Sequence, residues 1–217
     1  MVRNRFQEQL AALDQLVRDM GDQARTMLHD GIGALADLDR ARAQTVIDQT
    51  EALANLDEEV ETTALEVLTL QSPVARDLRH VGAVLKLATY LNRVGRYGYD
   101  IASVCAKWPD ETHVARPAAL LVMGEKVERM LDLVMQSFAD AAAPDLETIA
   151  KLEDDVDALR YSIWRETLTY MAEDPHNIER GAHYMMVARY LERSGDNICK
   201  MAEKLHYAAT AQRVWLR

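Results

Sequence analysis

The sequence predicts an all-α protein of six helices, arranged as two tandem three-helix bundles. Three observations carry this. Strong helix formers fill the stretches between five prolines, and clusters of β-branched residues are few. Apolar residues recur at alternating spacings of three and four, as in Ile149, Leu152, Val156, Leu159, Ile163 and in Ala188, Leu191, Gly195, Ile198, Ala202, Leu205. That period lays one apolar seam along each helix. The chain also repeats itself at an offset of about 100 residues.

In chain order the helices are expected at 4–39, 41–71, 73–107, 111–142, 145–173 and 176–210. The first two meet near Asp39 without a proline or glycine to break them. Ser72 before Pro73 and Asp174 before Pro175 match an N-cap followed by proline at the first helical position, and so open the third and sixth helices. Pro109 and Pro117 flank the joint between bundles, expected as a short link at Trp108–Glu111, and Pro144-Asp145 opens the fifth helix. Gly195 falls inside the sixth helix's seam, which predicts a close helix crossing there.

The repeat fixes the organisation. Tyr90, Leu91, Arg93, Gly95 and Ala102 recur as Tyr190, Leu191, Arg193, Gly195 and Ala202, an offset of 100. At an offset of 103, Met20-Gly21 recurs as Met123-Gly124 and Met27-Leu28 as Met130-Leu131. Leu53, Leu56, Val60 and Leu65 likewise answer Val156, Leu159, Ile163 and Leu168. The expected units are 1–108 and 109–217.

Composition excludes several classes of function. Of 217 residues, 25 are Lys or Arg and 35 are Asp or Glu, a net charge of −10 that disfavours nucleic acid as a general partner. No apolar run approaches the roughly 18 residues of a membrane span, and the start MVRNRFQEQL is too charged for a secretory signal. Cys105 and Cys199 are too far apart in sequence to suggest a disulfide framework or a thiolate zinc site. A reducing, cytoplasmic setting fits. The sequence carries no Walker motif, nucleophile elbow or glycine-rich phosphate loop.

Two local motifs sharpen the reading. Gln71-Ser72-Pro73-Val74-Ala75-Arg76-Asp77-Leu78-Arg79 and Leu191-Glu192-Arg193-Ser194-Gly195-Asp196 resemble the Q-x-P-V-A-R-D-L-R and L-E-R-I-G-D signatures of the PhoU family, cytoplasmic regulators of phosphate uptake. The resemblance covers essentially the whole chain. It implies two packed three-helix bundles and a negative regulator rather than an enzyme. It further implies two partners, the ATPase of a phosphate ABC transporter and a membrane sensor histidine kinase, and with them a peripheral station at the inner face of the membrane. A homodimer is compatible with it. Some family members bind multinuclear iron or zinc clusters through E/D-x-x-x-D motifs, which implies a metal here too.

Four carboxylates match that pattern. Glu153 and Asp157 are four apart on the fifth helix, and Glu192 and Asp196 four apart on the sixth; each pair stands one above the other beside the seam. If the hairpin turn centres between Pro175 and His176, Asp157 lies opposite residue 194, so all four share one level. Two readings stay open. In one, Arg160 and Arg189 pair with the acids as ordinary surface salt bridges; in the other, the set is an all-oxygen site for a hard cation, iron or manganese. A metal is expected at the second repeat only. Thr50, Ala54, Asn92 and Arg96 occupy the corresponding positions of the first repeat, and a guanidinium among them repels a cation. Asp57, Glu58, Glu59 and Glu61 are then a solvated acidic stretch. His183 is expected to be partly buried or at the surface rather than a ligand. Arg76, Asp77 and Arg79 are expected to cap the third helix or meet a partner.

Two other functions compete with this reading. An accessory of a secondary phosphate permease would need no kinase. A carboxylate-bridged di-iron enzyme would carry Glu-x-x-His on two helices, but Gly195 stands three after Glu192 and Val156 three after Glu153.

Overall fold

Helices α1 (Val2–Asp37), α2 (Arg40–Asp48), α3 (Thr50–Gln71), α4 (Ala75–Ala106), α5 (Ala118–Ala139), α6 (Leu146–Glu173) and α7 (Ile178–Thr210) follow one another, with a 3₁₀ turn at Pro175–Asn177. The computed structural model describes residues 2–71, 73–109, 112–115 and 117–216, and no strand occurs among them. Six helical rods result, because α2 and α3 continue one another across a break at Gln49. That break departs from the expected single helix at 41–71. Thr50 Oγ1 donates to the Ile47 carbonyl at 2.9 Å, and the Gln49 N–H takes the Val46 carbonyl at 3.2 Å. The turn tightens to the 3₁₀ pattern for one step.

The other joints show what terminates each rod. Leu38 adopts φ 51°, the left-handed region, which an L-residue enters at a cost of roughly 1–2 kcal/mol. Asp39 offsets part of it, since its Oδ1 accepts the N–H groups of Ala41 and Arg42, each at 3.0 Å. Helix α4 starts after Val74, which makes no side-chain cap bond; the N-cap expected at Ser72 lies outside the described residues. Asp145 caps α6, accepting from Thr148 N at 3.1 Å and Thr148 Oγ1 at 2.7 Å. Asp174 accepts from His176 N at 2.9 Å with Pro175 beginning the turn, as the sequence predicts.

The link between the two halves is longer than expected. Helix α5 begins at Ala118 rather than 111, so the connection runs from Lys107 to Pro117; Asp110, Glu111 and Arg116 lie outside the described residues. Pro117 disfavours helical backbone just before it, and the link is held by distant partners instead. His113 Nε2 lies 3.1 Å from the Ala36 carbonyl and Nδ1 2.9 Å from Tyr184 Oη. Trp108, 3% exposed, packs its ring 5.4 Å from that of Tyr184 and 5.6 Å from that of half-buried His183.

Each half buries the seam its periodicity predicts, α1 with α2, α3 and α4, and α5 with α6 and α7. The halves also pack broadly on each other, α4 along α7 and α1 along α5, so the buried side chains form one continuous core. Tyr97 and Tyr190 stack across the first contact at 6.0 Å. Arg25 binds Asp132 at 2.7 Å across the second.

The close crossing expected at Gly195 lies elsewhere. A Cβ at Gly195 would meet Met130 and Val156 at 3.8 Å, an ordinary contact. At Gly98 it would meet the carbonyl carbon and oxygen of Met27 at 2.5 Å, and at Gly31 the Gly98 carbonyl at 2.5 Å. The tight approach is therefore between α1 and α4, backbone against backbone, and only glycine fits.

Candidate functional site

The α6–α7 hairpin sets the level of the four carboxylates. Arg160 Nη1 on α6 stands 3.7 Å from Glu192 Oε1 on α7, a pair that spans the hairpin rather than one helix. Glu153 is 8% exposed, and its carboxyl is pushed up to about 7, first by burial and then by the charges of Asp157, Asp196, Asp154 and Glu192. Glu192 is raised by burial against the pull of Arg160. Asp196, exposed on its outer side, is raised by partial burial of its carboxyl and by Asp157. The structure thus brings all four within each other's fields, and burial pushes Glu153, nearest the core, furthest up.

As the side chains stand, this is a field rather than a coordination sphere. No three His, Cys, Asp or Glu side chains among the described residues are gathered closely enough to hold a metal ion, and the Arg160 guanidinium takes part of the neutralising role. The oxygens suit a hard cation in kind, yet they do not fit one without rotation of the side chains.

The first half repeats the geometry with other chemistry. Asn92 Nδ2 donates to Asp57 Oδ2 at 2.5 Å, and these positions answer Glu192 and Arg160 at the repeat offsets. The same two seats face each other in both halves. One holds an acid and a guanidinium, the other an amide and a carboxylate. Asp57 is therefore tied to α4 rather than freely solvated, whereas Glu58, Glu59 and Glu61 are exposed.

Beside the carboxylates lies a surface that sequence reasoning missed. Tyr161, Trp164 and Leu168 on α6 are 59%, 51% and 42% exposed, and Met186 on α7 is 45% exposed. Arg160, Tyr161, Trp164, Met185 and Arg189 line a groove of about 420 Å³ there. The signal was in the repeat: Tyr161 and Trp164 stand where the first half has Glu58 and Glu61. An aromatic that its duplicate replaces by a carboxylate is not required by the fold. No helix among the described residues is long and apolar enough to cross a membrane.

Residues 17–105 and 120–205 each match the PhoU domain. The chain belongs to the PhoU family. A PhoU homologue of Caulobacter vibrioides, named a phosphate-specific transport system accessory protein, is 33% identical over 214 residues, covering 96% of this chain and 91% of its own length. A PhoU homologue of Clostridium acetobutylicum with the same name is 28% identical, covering 99% of this chain and 98% of its own. The crystal structure of the phosphate transport system regulatory protein PhoU from Streptococcus pneumoniae superposes with a TM-score of 0.89 at 25% identity, over 97% of this chain and 100% of that one. The two PhoU matches coincide with the two three-helix halves, and the carboxylates lie in the second.

Proposed function

We propose that the chain is a non-catalytic accessory of phosphate transport, working in the cytoplasm by contacts with the transporter ATPase and a membrane sensor histidine kinase. The observation that carries this reading is the match to PhoU accessory proteins over nearly the full length of both chains. In it the chain divides into units 1–108 and 109–217, and the second presents the docking face. Tyr161, Trp164 and Leu168 supply an exposed apolar strip, and Arg160 and Arg189 a basic border, on a chain of net charge −10. Such a strip suits a partner segment with apolar and acidic residues. A pulldown from phosphate-replete cells, scored for the transporter ATPase, a phosphate permease and a sensor kinase, tests it. Capture of the ATPase and kinase supports the reading. Capture of the permease alone replaces it with a permease accessory, and capture of none refutes it.

A second reading concerns a metal at Glu153, Asp157, Glu192 and Asp196. It is favoured by the burial of three carboxyls that also lie in one another's fields, each raised first by loss of water and then by neighbouring acids, which a cation would offset after side-chain rotation. Iron, zinc or another divalent metal would then sit in the second unit only.

A further inference from the structure

A basic cluster on this acidic chain lies between the two halves, away from the carboxylates. Near the start of α4 and the end of α7, under the tail that follows Thr210, lies a groove of about 410 Å³. Arg79 and Lys86 on α4, Lys204 on α7 and Arg213 on the tail all line it. None of the four is in an ion pair with a described residue. Arg79 Nε is buried without a hydrogen-bond partner. The remaining wall is aromatic and apolar: Tyr207, over which the Arg213 guanidinium sits at 5.5 Å, and Trp215, which is 73% exposed.

One acid shares the groove, and it is already committed on one side. The Glu203 side chain is 2% exposed. Its Oε1 accepts from Lys200 Nζ at 2.8 Å and from the Leu216 N–H at 2.9 Å, which fastens the tail. Its Oε2 is buried and accepts from nothing.

The other end of the same α4–α7 contact provides an internal control. There His183, which answers Ala83 at the offset of 100, meets Trp108 just beyond the end of α4. Trp108 is 3% exposed and plugs that end together with the rings of His113 and Tyr184. At the open end Ala83 lines the groove, Trp215 stays out in solvent, and a Cβ built on Gly82 would meet nothing within 4 Å. One end is filled by the chain's own aromatic; the other is left vacant and ringed with cations.

We infer that this groove binds a nucleotide, with Arg79, Lys86, Lys204 and Arg213 on its phosphates and Trp215 and Tyr207 against its base. Each element of the site finds its complement in that one ligand class. Guanidinium and ammonium groups bind phosphate through charge-assisted hydrogen bonds. Exposed aromatic rings stack bases of any sequence. A simple inorganic anion would leave the aromatic wall unused, and it would occupy only a fraction of the volume. The inference is independent of the accessory role, which is read from partner capture rather than from ligand binding.

The test is a calorimetric titration of the full chain with ATP, ADP and inorganic phosphate, alongside tryptophan fluorescence. Saturable binding of ATP or ADP at one site per chain is expected, with a fluorescence change lost in Trp215→Phe. Lys86→Ala combined with Lys204→Ala should weaken it at least tenfold, since each charged contact contributes on the order of a tenfold factor. Gly82→Phe should abolish binding by filling open space while leaving the helical circular dichroism and melting transition intact. Absence of saturation by either nucleotide, or binding that survives Gly82→Phe, overturns the site. Inorganic phosphate binding as tightly as ATP overturns the nucleotide class. Binding of a polyglutamate peptide in preference to all three replaces the small molecule with an acidic protein segment.

Discussion

Replacing Gly98 by Ala and, separately, Gly195 by Ala sets the same chemical change against two different surroundings. In a helix interior the substitution itself gains about 0.8–1 kcal/mol. At Gly195 the new methyl meets Met130 and Val156 at 3.8 Å, so that gain should appear nearly whole. At Gly98 the methyl arrives 2.5 Å from the Met27 carbonyl carbon and oxygen and 2.7 Å from Leu28 N. These are backbone atoms that no rotamer change can move. Helices α1 and α4 must separate by roughly 1 Å to restore ordinary contact, and overpacking of this kind costs about 1–3 kcal/mol, with rigid backbone pushing to the upper end. The net expectation is a loss of roughly 1–2 kcal/mol for Gly98→Ala, so the two variants should differ by about 2–3 kcal/mol. Urea unfolding followed by circular dichroism reads both from their midpoints at a common slope. If Gly98→Ala is as stabilising as Gly195→Ala, the α1–α4 crossing is not where it is described, and the core argument fails with it.

Glu153→Gln should stabilise the protein at pH 8 and be neutral at pH 5. A carboxyl raised to about 7 binds more protons folded than unfolded between about pH 4.5 and 7, so its contribution is greatest below that window and is lost as pH rises through it. The difference is on the order of 1–3 kcal/mol, and melting curves at the two pH values measure it. Metal content of the purified protein, if a metal is held at the carboxylates, should fall in Glu192→Ala and Asp157→Ala and be unmoved by Asn92→Ala, as elemental analysis would show. Placing carboxylates together at positions 50, 54, 92 and 96 should then create a second site. Trp164→Glu should weaken partner capture by roughly 30-fold, the scale of a central interface tryptophan, without changing the melting temperature of a residue that is 51% exposed. Full capture by that variant would move the docking face elsewhere.

Local signals carried much of the fold. Asp174 caps where a short acceptor followed by proline says it should, and the seams of α6 and α7 lie where the three-and-four spacing puts them. What the sequence concealed depends on distant atoms. Leu38 turns left-handed because the rods on either side are held by the core, and nothing in leucine announces it. His113 keeps 112–115 out of a helix by reaching Ala36 and Tyr184, residues far off in the chain. Gly195 and Gly98 both sit in seams, but whether a glycine is needed depends on how near the crossing helix comes. At the candidate site the spacing of four and the hairpin register were readable. The swing of Arg160 toward Glu192 and the depth of Glu153 were not, since both follow from side-chain packing rather than from periodicity.

The stacking of α4 along α7 and α1 along α5 bears on how the chain comes apart. Two duplicated bundles joined by a flexible tether would melt separately and survive being cut apart. Here each bundle uses the other as part of its wall, and the Lys107–Pro117 link is itself pinned by His113 and Trp108 to helices on both sides. Severed at that link, either half would expose the faces that carry Tyr97 and Tyr190 to water, and the two fragments should recover their fold by finding each other rather than alone. Duplication of this kind should make an obligate pair within one chain, expected to unfold in one cooperative step, with halves that can diverge in chemistry only so long as they continue to fit.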